Sequence, residues 1–201
     1  MKTAYFWLTP QGKQLAEQLQ AHFGGTVEPK ADFAEAVRRA FADCDALVFV
    51  MATGIVVRTI APLVQSKASD PAVLVLDQRG KHVISLLSGH LGGANAMAEQ
   101  TAAYLGGEAV ITTATDVEHV PAFDLFAKEN HLTIENLEEL KYISGALVAG
   151  EPVSLCTAFP VEKNAFPETV QIQPFSETPR HACAVAIADT TESVAAPHVL
   201  Y

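Results

Sequence analysis

Cysteine is scarce in this sequence of 201 residues: Cys44, Cys156 and Cys183 are odd in number and far apart. That spacing excludes both a disulfide framework and a CxxC metal site. Positive charge is also short, with 13 Lys and Arg against 23 Asp and Glu and a net charge of −10 with His neutral. A sequence-independent grip on nucleic-acid phosphates or anionic lipid would work against that field, so neither nucleic acid nor membrane is expected as a partner. No apolar run approaches the roughly 18 residues of a membrane span. The N-terminus, MKTAYFWLTPQGKQ, has no small-residue cleavage site and reads as a first strand rather than a secretory signal. These absences make a cytoplasmic location the expectation. Sharper motifs are missing too. Gly89-His90-Leu91-Gly92-Gly93 has the wrong spacing for GxGxxG, and GxxxxGK[ST], GxSxG and HExxH do not occur. The seven histidines are scattered, and Cys and His give no metal-ligand spacing.

Apolar residues, by contrast, make up 49% of the chain and charged residues only 18%, which is enough for a real core. The first part alternates apolar runs with amphipathic helices, the pattern of a parallel sheet covered on its faces. AYFWL is a strand; Thr9 then caps a helix with Pro10 at its first position, Leu15, Leu19 and Phe23 on one face, and Gly24 at its end. A helix over 33–42 leads to ALVFVMAT, an apolar run with the character of a strand buried on both faces. AVLVLD and HVISLL follow, separated by QRGK as a hairpin turn. A helix over 93–105 stops at Gly106-Gly107, and EAVITTATDV is read as one last strand. After Pro121 the texture changes, with helices expected over 122–130 and 135–148 before the short β-like runs VSLCTAF, TVQIQPF, ACAVAIAD and HVLY. The expected architecture is a Rossmann-like or flavodoxin-like, mostly parallel sheet with helices on both faces over residues 1–120, followed by a smaller α+β domain over 121–201.

Three β-runs end in small polar residues: VFVMATGIVVR, VISLLSGHLGGAN and VITTATDV. In open α/β sheets ligands bind beyond the carboxyl ends of the strands, so the three tips are expected to share one sheet edge. Two of them lead into helices, whose first amides are unpaired and favour negative charge. Glycines there bring an anion's oxygens close to the backbone, with Arg58 and Lys67 to supply full charges. The ligand so implied is a small-molecule carboxylate or phosphate. The expected binding residues are Thr53, Gly54, Arg58, Lys67, Gly89, Gly92, Gly93, Asn95, Thr112, Thr113 and Thr115; His90, Asp116 and Ser88 are the candidate catalytic groups. Blander readings stand beside these. The glycines can simply shape a tight turn, His90 can be a satisfied structural histidine, Arg58 a solvated helix residue, and Asp116 a turn cap.

Taken in order, GIVVR, DPAVLVLD, SLLSGHLGGAN and ITTATDV between Gly54 and Val117 resemble the cobalamin biosynthesis protein G family, the cobalt-precorrin-5A hydrolases. Residues 122–201 resemble the family's middle domain with weaker motifs. The resemblance implies opening of a δ-lactone on a cobalt-containing corrin precursor, a tetrapyrrole derivative, and release of a two-carbon fragment as acetaldehyde. It implies a polyanionic small-molecule substrate and no cofactor held by the protein, the cobalt arriving with the substrate. Members usually continue into a C-terminal domain, so that domain or other enzymes of the pathway are the expected partners. On this reading His90 is the acid/base, the Gly92 and Gly93 amides are oxyanion donors, and Ser88, Asn95 and Asp116 orient. The competing readings are a non-catalytic corrinoid-binding scaffold and a general nucleotide-binding α/β domain.

Overall fold

Thr9 and Pro10 start the first helix as their types dictate. The Thr9 hydroxyl accepts the Gly12 amide at 3.0 Å, and Pro10, with no N–H to leave unpaired, occupies the first turn. The computed structural model describes residues 1–162, 165–189 and 192–201, which divide into Met1–Thr112 and Thr113–Tyr201. The first unit runs β1 (Thr3–Trp7), α1 (Pro10–Phe23), β2 (Thr26–Val27), α2 (Phe33–Asp43), β3 (Ala46–Val50), α3 (Thr53–Ile60), β4 (Ala72–Leu76), β5 (His82–Leu87), α4 (Ala94–Leu105) and β6 (Glu108–Val110). Its six strands are ordered β2-β1-β3-β4-β5-β6. Ala46, Val48 and Val50 of β3 pack with Leu15, Leu19, Ala98 and Ala102 of α1 and α4. Leu47 and Phe49 pack with Val37, Ala40, Val56 and Ile60 of α2 and α3 on the other face. Both faces of the strand are buried, which is why its sequence is uninterruptedly apolar.

The sheet is not parallel throughout. β2, β1, β3 and β4 share one direction, β5 is antiparallel to β4, and β6 follows β5. The reversal is made by the Asp77–Lys81 hairpin, where Asp77 accepts the Arg79 amide at 2.8 Å and the His82 amide at 2.7 Å. Burial raises the Asp77 carboxyl, but the amides of His82, Arg79 and Lys81 and the His82 charge outweigh it and hold its pKa below the ordinary value. The carboxyl ends of β1, β3 and β4 therefore lie at one end of the sheet and those of β5 and β6 at the other.

One buried group in this core has no partner. Tyr5 is 1% exposed, and its hydroxyl meets no hydrogen-bonding atom among the described residues; burial pushes its phenol pKa up. A buried unsatisfied hydroxyl costs about 1–3 kcal/mol. Tyr5→Phe is therefore expected to leave stability unchanged or raise it by about 1 kcal/mol in urea unfolding. A loss of that size would mean that the hydroxyl is satisfied by an internal water.

The second unit begins with α5 (Ala114–Val117) and α6 (Phe123–Glu129), then a 3₁₀ turn (Leu137–Glu139) leading into α7 (Leu140–Val148). β7 (Val153–Thr157), β8 (Val170–Pro174), β9 (Cys183–Ile187) and β10 (His198–Leu200) form a parallel sheet ordered β10-β9-β7-β8. Phe123, Leu140, Ile143, Leu147, Leu155, Val185 and Leu200 make its core. Two local expectations need correcting. EAVITTATDV is not one strand: β6 ends at Val110, and the Thr113 hydroxyl donates to the Asp116 carboxylate as the chain turns into α5, a local side-chain bond that competes with the ladder. The helix expected from Glu135 starts later, because Asn136 pins the edge strand β10. It donates to Val199 O at 2.7 Å and accepts from the Tyr201 amide at 2.8 Å. The division at Thr112/Thr113 also precedes the change of composition at Pro121, since α5 packs against α7.

Candidate active site

The turn from β5 into α4 collects most of the chemistry. Ser88 sits at φ +58°, a backbone region a serine rarely adopts, and its hydroxyl donates to the Asp70 carbonyl at 2.9 Å. The Gly93 amide donates to His90 O at 3.0 Å, the Ala94 amide to Ser88 O at 3.2 Å and the Asn95 amide to Gly89 O at 3.0 Å. Gly93, at φ +87°, precedes the first helical residue of α4. Asn95 is 6% exposed and its Oδ1 accepts the Ser85 hydroxyl at 2.7 Å. A Cβ on Gly92 would lie 2.4 Å from Ser88 Cβ and 2.7 Å from Ser88 O, so close approach of the two backbones requires glycine there. The Gly92 amide has no partner among the described residues, whereas the Gly93 amide is already committed to His90 O. Of the two oxyanion donors expected, only Gly92 remains available. His90 is half-buried within the turn.

Lys67 lies on the turn before β4, exposed and without an ion pair among the described residues. Thr112 follows β6, which is parallel to β5, and so belongs to the same end of the sheet as the glycine turn. Thr53, Gly54 and Arg58 do not. They follow β3 at the opposite end, beside a groove of about 480 Å³ lined by Leu8, Thr9, Met51, Thr53, Ile55 and Gln78. Arg58 folds back so that Nη1 donates to Gly54 O at 2.9 Å, which is a helix-terminus contact on an exposed side chain. The single shared edge expected for the three strand tips is thus wrong, and the physical reason is the hairpin: reversing β5 carries its carboxyl end away from that of β3. Thr113, Thr115 and Asp116 fall in the second unit, where Thr115 is 7% exposed.

Other chemistry narrows. Burial pushes all three cysteine thiols above their ordinary pKa, which disfavours the thiolate form. Among the described residues no group of three or more His, Cys, Asp or Glu is placed to hold a metal, and no helix is long and apolar enough to cross a membrane. Charge is unevenly divided. The first unit has nine Lys and Arg to ten Asp and Glu, and the second has four to thirteen. The cavity of about 230 Å³ in the second unit is lined by Phe123, Phe126, Phe175, Ile187 and Tyr201 with Glu135 and Glu192 and, among the described residues, by no basic one. Sequence reading missed Asp70 and Ser85, the two groups that tie the glycine turn down; the only signal for Asp70 was its place before Pro71.

The family model described as Cobalamin synthesis G N-terminal matches residues 35–116, and that described as Cobalamin biosynthesis central region matches residues 121–201. The chain is 44% identical over 165 residues to the cobalt-precorrin-5A hydrolase of Salmonella typhimurium, an alignment covering 76% of this chain and 47% of that protein. The cobalt-precorrin-5A hydrolase of Priestia megaterium is 42% identical over 109 residues, covering 54% of this chain and 29% of that protein. The matches therefore span less than half the length of these curated relatives. A solved cobalamin biosynthesis protein G homolog from Sulfolobus solfataricus matches with a TM-score of 0.57 at 24% identity, over 99% of this chain and 59% of that one. At that identity it bears on the fold alone.

Proposed function

Because this chain belongs to the cobalamin biosynthesis protein G family, we propose that it acts as a cobalt-precorrin-5A hydrolase through its N-terminal and central regions. The substrate class is a polyanionic cobalt corrin precursor. The observation that carries the site is the glycine turn after β5, which holds the half-buried His90 and a Gly92 amide with no partner among the described residues. The near-balanced charge of the first unit supports docking of a polyanion there rather than on the acidic second unit. Lys67 supplies a full charge for a peripheral carboxylate, and Thr112 a hydroxyl at the same end of the sheet.

In this mechanism His90 takes a proton from water as the water oxygen adds to the lactone carbonyl. The Gly92 amide stabilises the oxygen that becomes negative. Collapse breaks the ring C–O bond, and the imidazolium returns its proton to the leaving alkoxide, leaving a free hydroxyl and a carboxylic acid, which ionises by releasing its proton to water. His90 then removes that hydroxyl proton, and the adjacent carbon–carbon bond breaks in the retro-aldol sense. Acetaldehyde leaves, and the electron pair stays on the macrocycle carbon, which takes up a proton. No resident cofactor is invoked, since the cobalt enters with the substrate. Three free cysteines support placement in the reducing cytoplasm.

Incubation of the chain with cobalt-precorrin-5A, followed by mass analysis of the macrocycle and trapping of acetaldehyde, tests this. Ring opening with loss of the two-carbon fragment is expected. Tight binding without acetaldehyde, persisting when the family's C-terminal domain is added, would instead make the chain a corrinoid-binding scaffold.

A further inference from the structure

The glycine turn is tied to a second turn through one buried residue. Asp70 is 7% exposed. Its carboxylate accepts the Gln65 amide at 3.0 Å and the Ser66 amide at 3.1 Å, and its own amide donates to Ser66 O at 2.8 Å. Those bonds close residues 65–70 on themselves, and Lys67 is carried on that closed turn. The Asp70 carbonyl in turn accepts the Ser88 hydroxyl at 2.9 Å. Ser88 keeps this bond from a left-handed backbone that glycine would adopt with less strain, in a segment where glycine already stands at 89, 92 and 93. What serine adds there is the hydroxyl. Gly92, packed against both Ser88 and the Ala72 amide, leaves that serine little room to relax.

We propose that Asp70 is a positioning residue, which presents Lys67 as a carboxylate-recognising arm and fixes that arm in register with the His90 turn through the Ser88 hydroxyl. The inference rests on the reading that a polycarboxylate corrin docks at this end of the sheet. The Asp70 carboxylate is engaged by the Gln65 and Ser66 amides and makes no ion pair with Lys67, so the lysine charge stays available for a ligand. A rigid arm loses less entropy on binding than a flexible loop does.

The test is a double-mutant cycle on the affinity of the chain for cobyrinic acid, a stable cobalt corrin with free peripheral carboxylates, measured by titration calorimetry at low and moderate salt. Lys67→Ala is expected to weaken binding about 5- to 20-fold. Asp70→Asn should weaken it comparably, and adding Lys67→Ala to Asp70→Asn should cost less than about twofold more. Where Asp70→Asn fails to fold, Ser88→Gly replaces it, since glycine accepts the local backbone and only the hydroxyl and its Cβ are lost. In that background too the Lys67→Ala effect should shrink. If Lys67→Ala costs the same factor in every background, Asp70 merely holds up the fold and the inference is overturned. If the wild-type chain fails to bind cobyrinic acid or cobalt-precorrin-5A at all, the functional reading falls and the arm's role with it.

Discussion

His90→Ala should lower the rate of lactone opening at saturating cobalt-precorrin-5A by about 10²–10⁴-fold, while affinity for the substrate falls by less than about tenfold. The expectation follows from where the imidazole is held. It belongs to a turn whose neighbours on both sides are locked by backbone bonds, Ser88 and Gly89 to the start of α4 and Gly93 back to His90 O. A backbone held in that way restricts where the imidazole can reach, and proton transfer gains from a base whose position is restricted. A histidine that merely grips a substrate carboxylate would show the opposite pattern, with affinity collapsing and the turnover of saturated enzyme preserved. The split between turnover and affinity, measured in a preparation of demonstrated activity, separates the two. Near-normal turnover by His90→Ala would remove it from the mechanism.

Much of the first unit was legible because its local signals agree with one another. Thr9, Pro10 and Gly24 bracket α1 as caps and breakers should, and the wholly apolar β3 is the strand buried on both faces. The QRGK hairpin was legible too, yet its consequence conflicts with a shared edge: a tight hairpin reverses the chain, so the tips after β3 and β5 cannot point the same way. The expectation of one edge treated every strand as parallel. Beyond its place before Pro71, Asp70 was invisible for a different reason. Its partners, the Gln65 and Ser66 amides and the Ser88 hydroxyl, are main-chain atoms or lie far along the sequence, and no periodicity encodes them. The second unit shows the same limit, where the bonds from Asn136 to Val199 and Tyr201 override a helical pattern that begins at Glu135.

Gly92→Ala is expected to cost the first unit about 2–4 kcal/mol, a size reserved for clashes that the structure cannot relieve by rotating a side chain. The added methyl would meet Ser88 Cβ at 2.4 Å and Ser88 O at 2.7 Å, and both atoms are fixed by the backbone. Movement of Ser88 would in turn break its hydroxyl bond to Asp70 and the Ala94 amide bond that starts α4. Gly106→Ala provides the comparison. Its φ is +67° but a Cβ there meets nothing within 4 Å, so only the left-handed backbone is penalised, at about 1 kcal/mol. Urea unfolding should therefore rank Gly92→Ala well below Gly106→Ala. Combining Gly92→Ala with Ser88→Gly removes the contact at 2.4 Å but keeps the one to the carbonyl at 2.7 Å, so part of the lost stability should return. If Gly92→Ala is as stable as the wild type, the close apposition of Gly92 and Ser88 is absent in solution. The turn would then no longer hold His90 and the Gly92 amide as the mechanism requires.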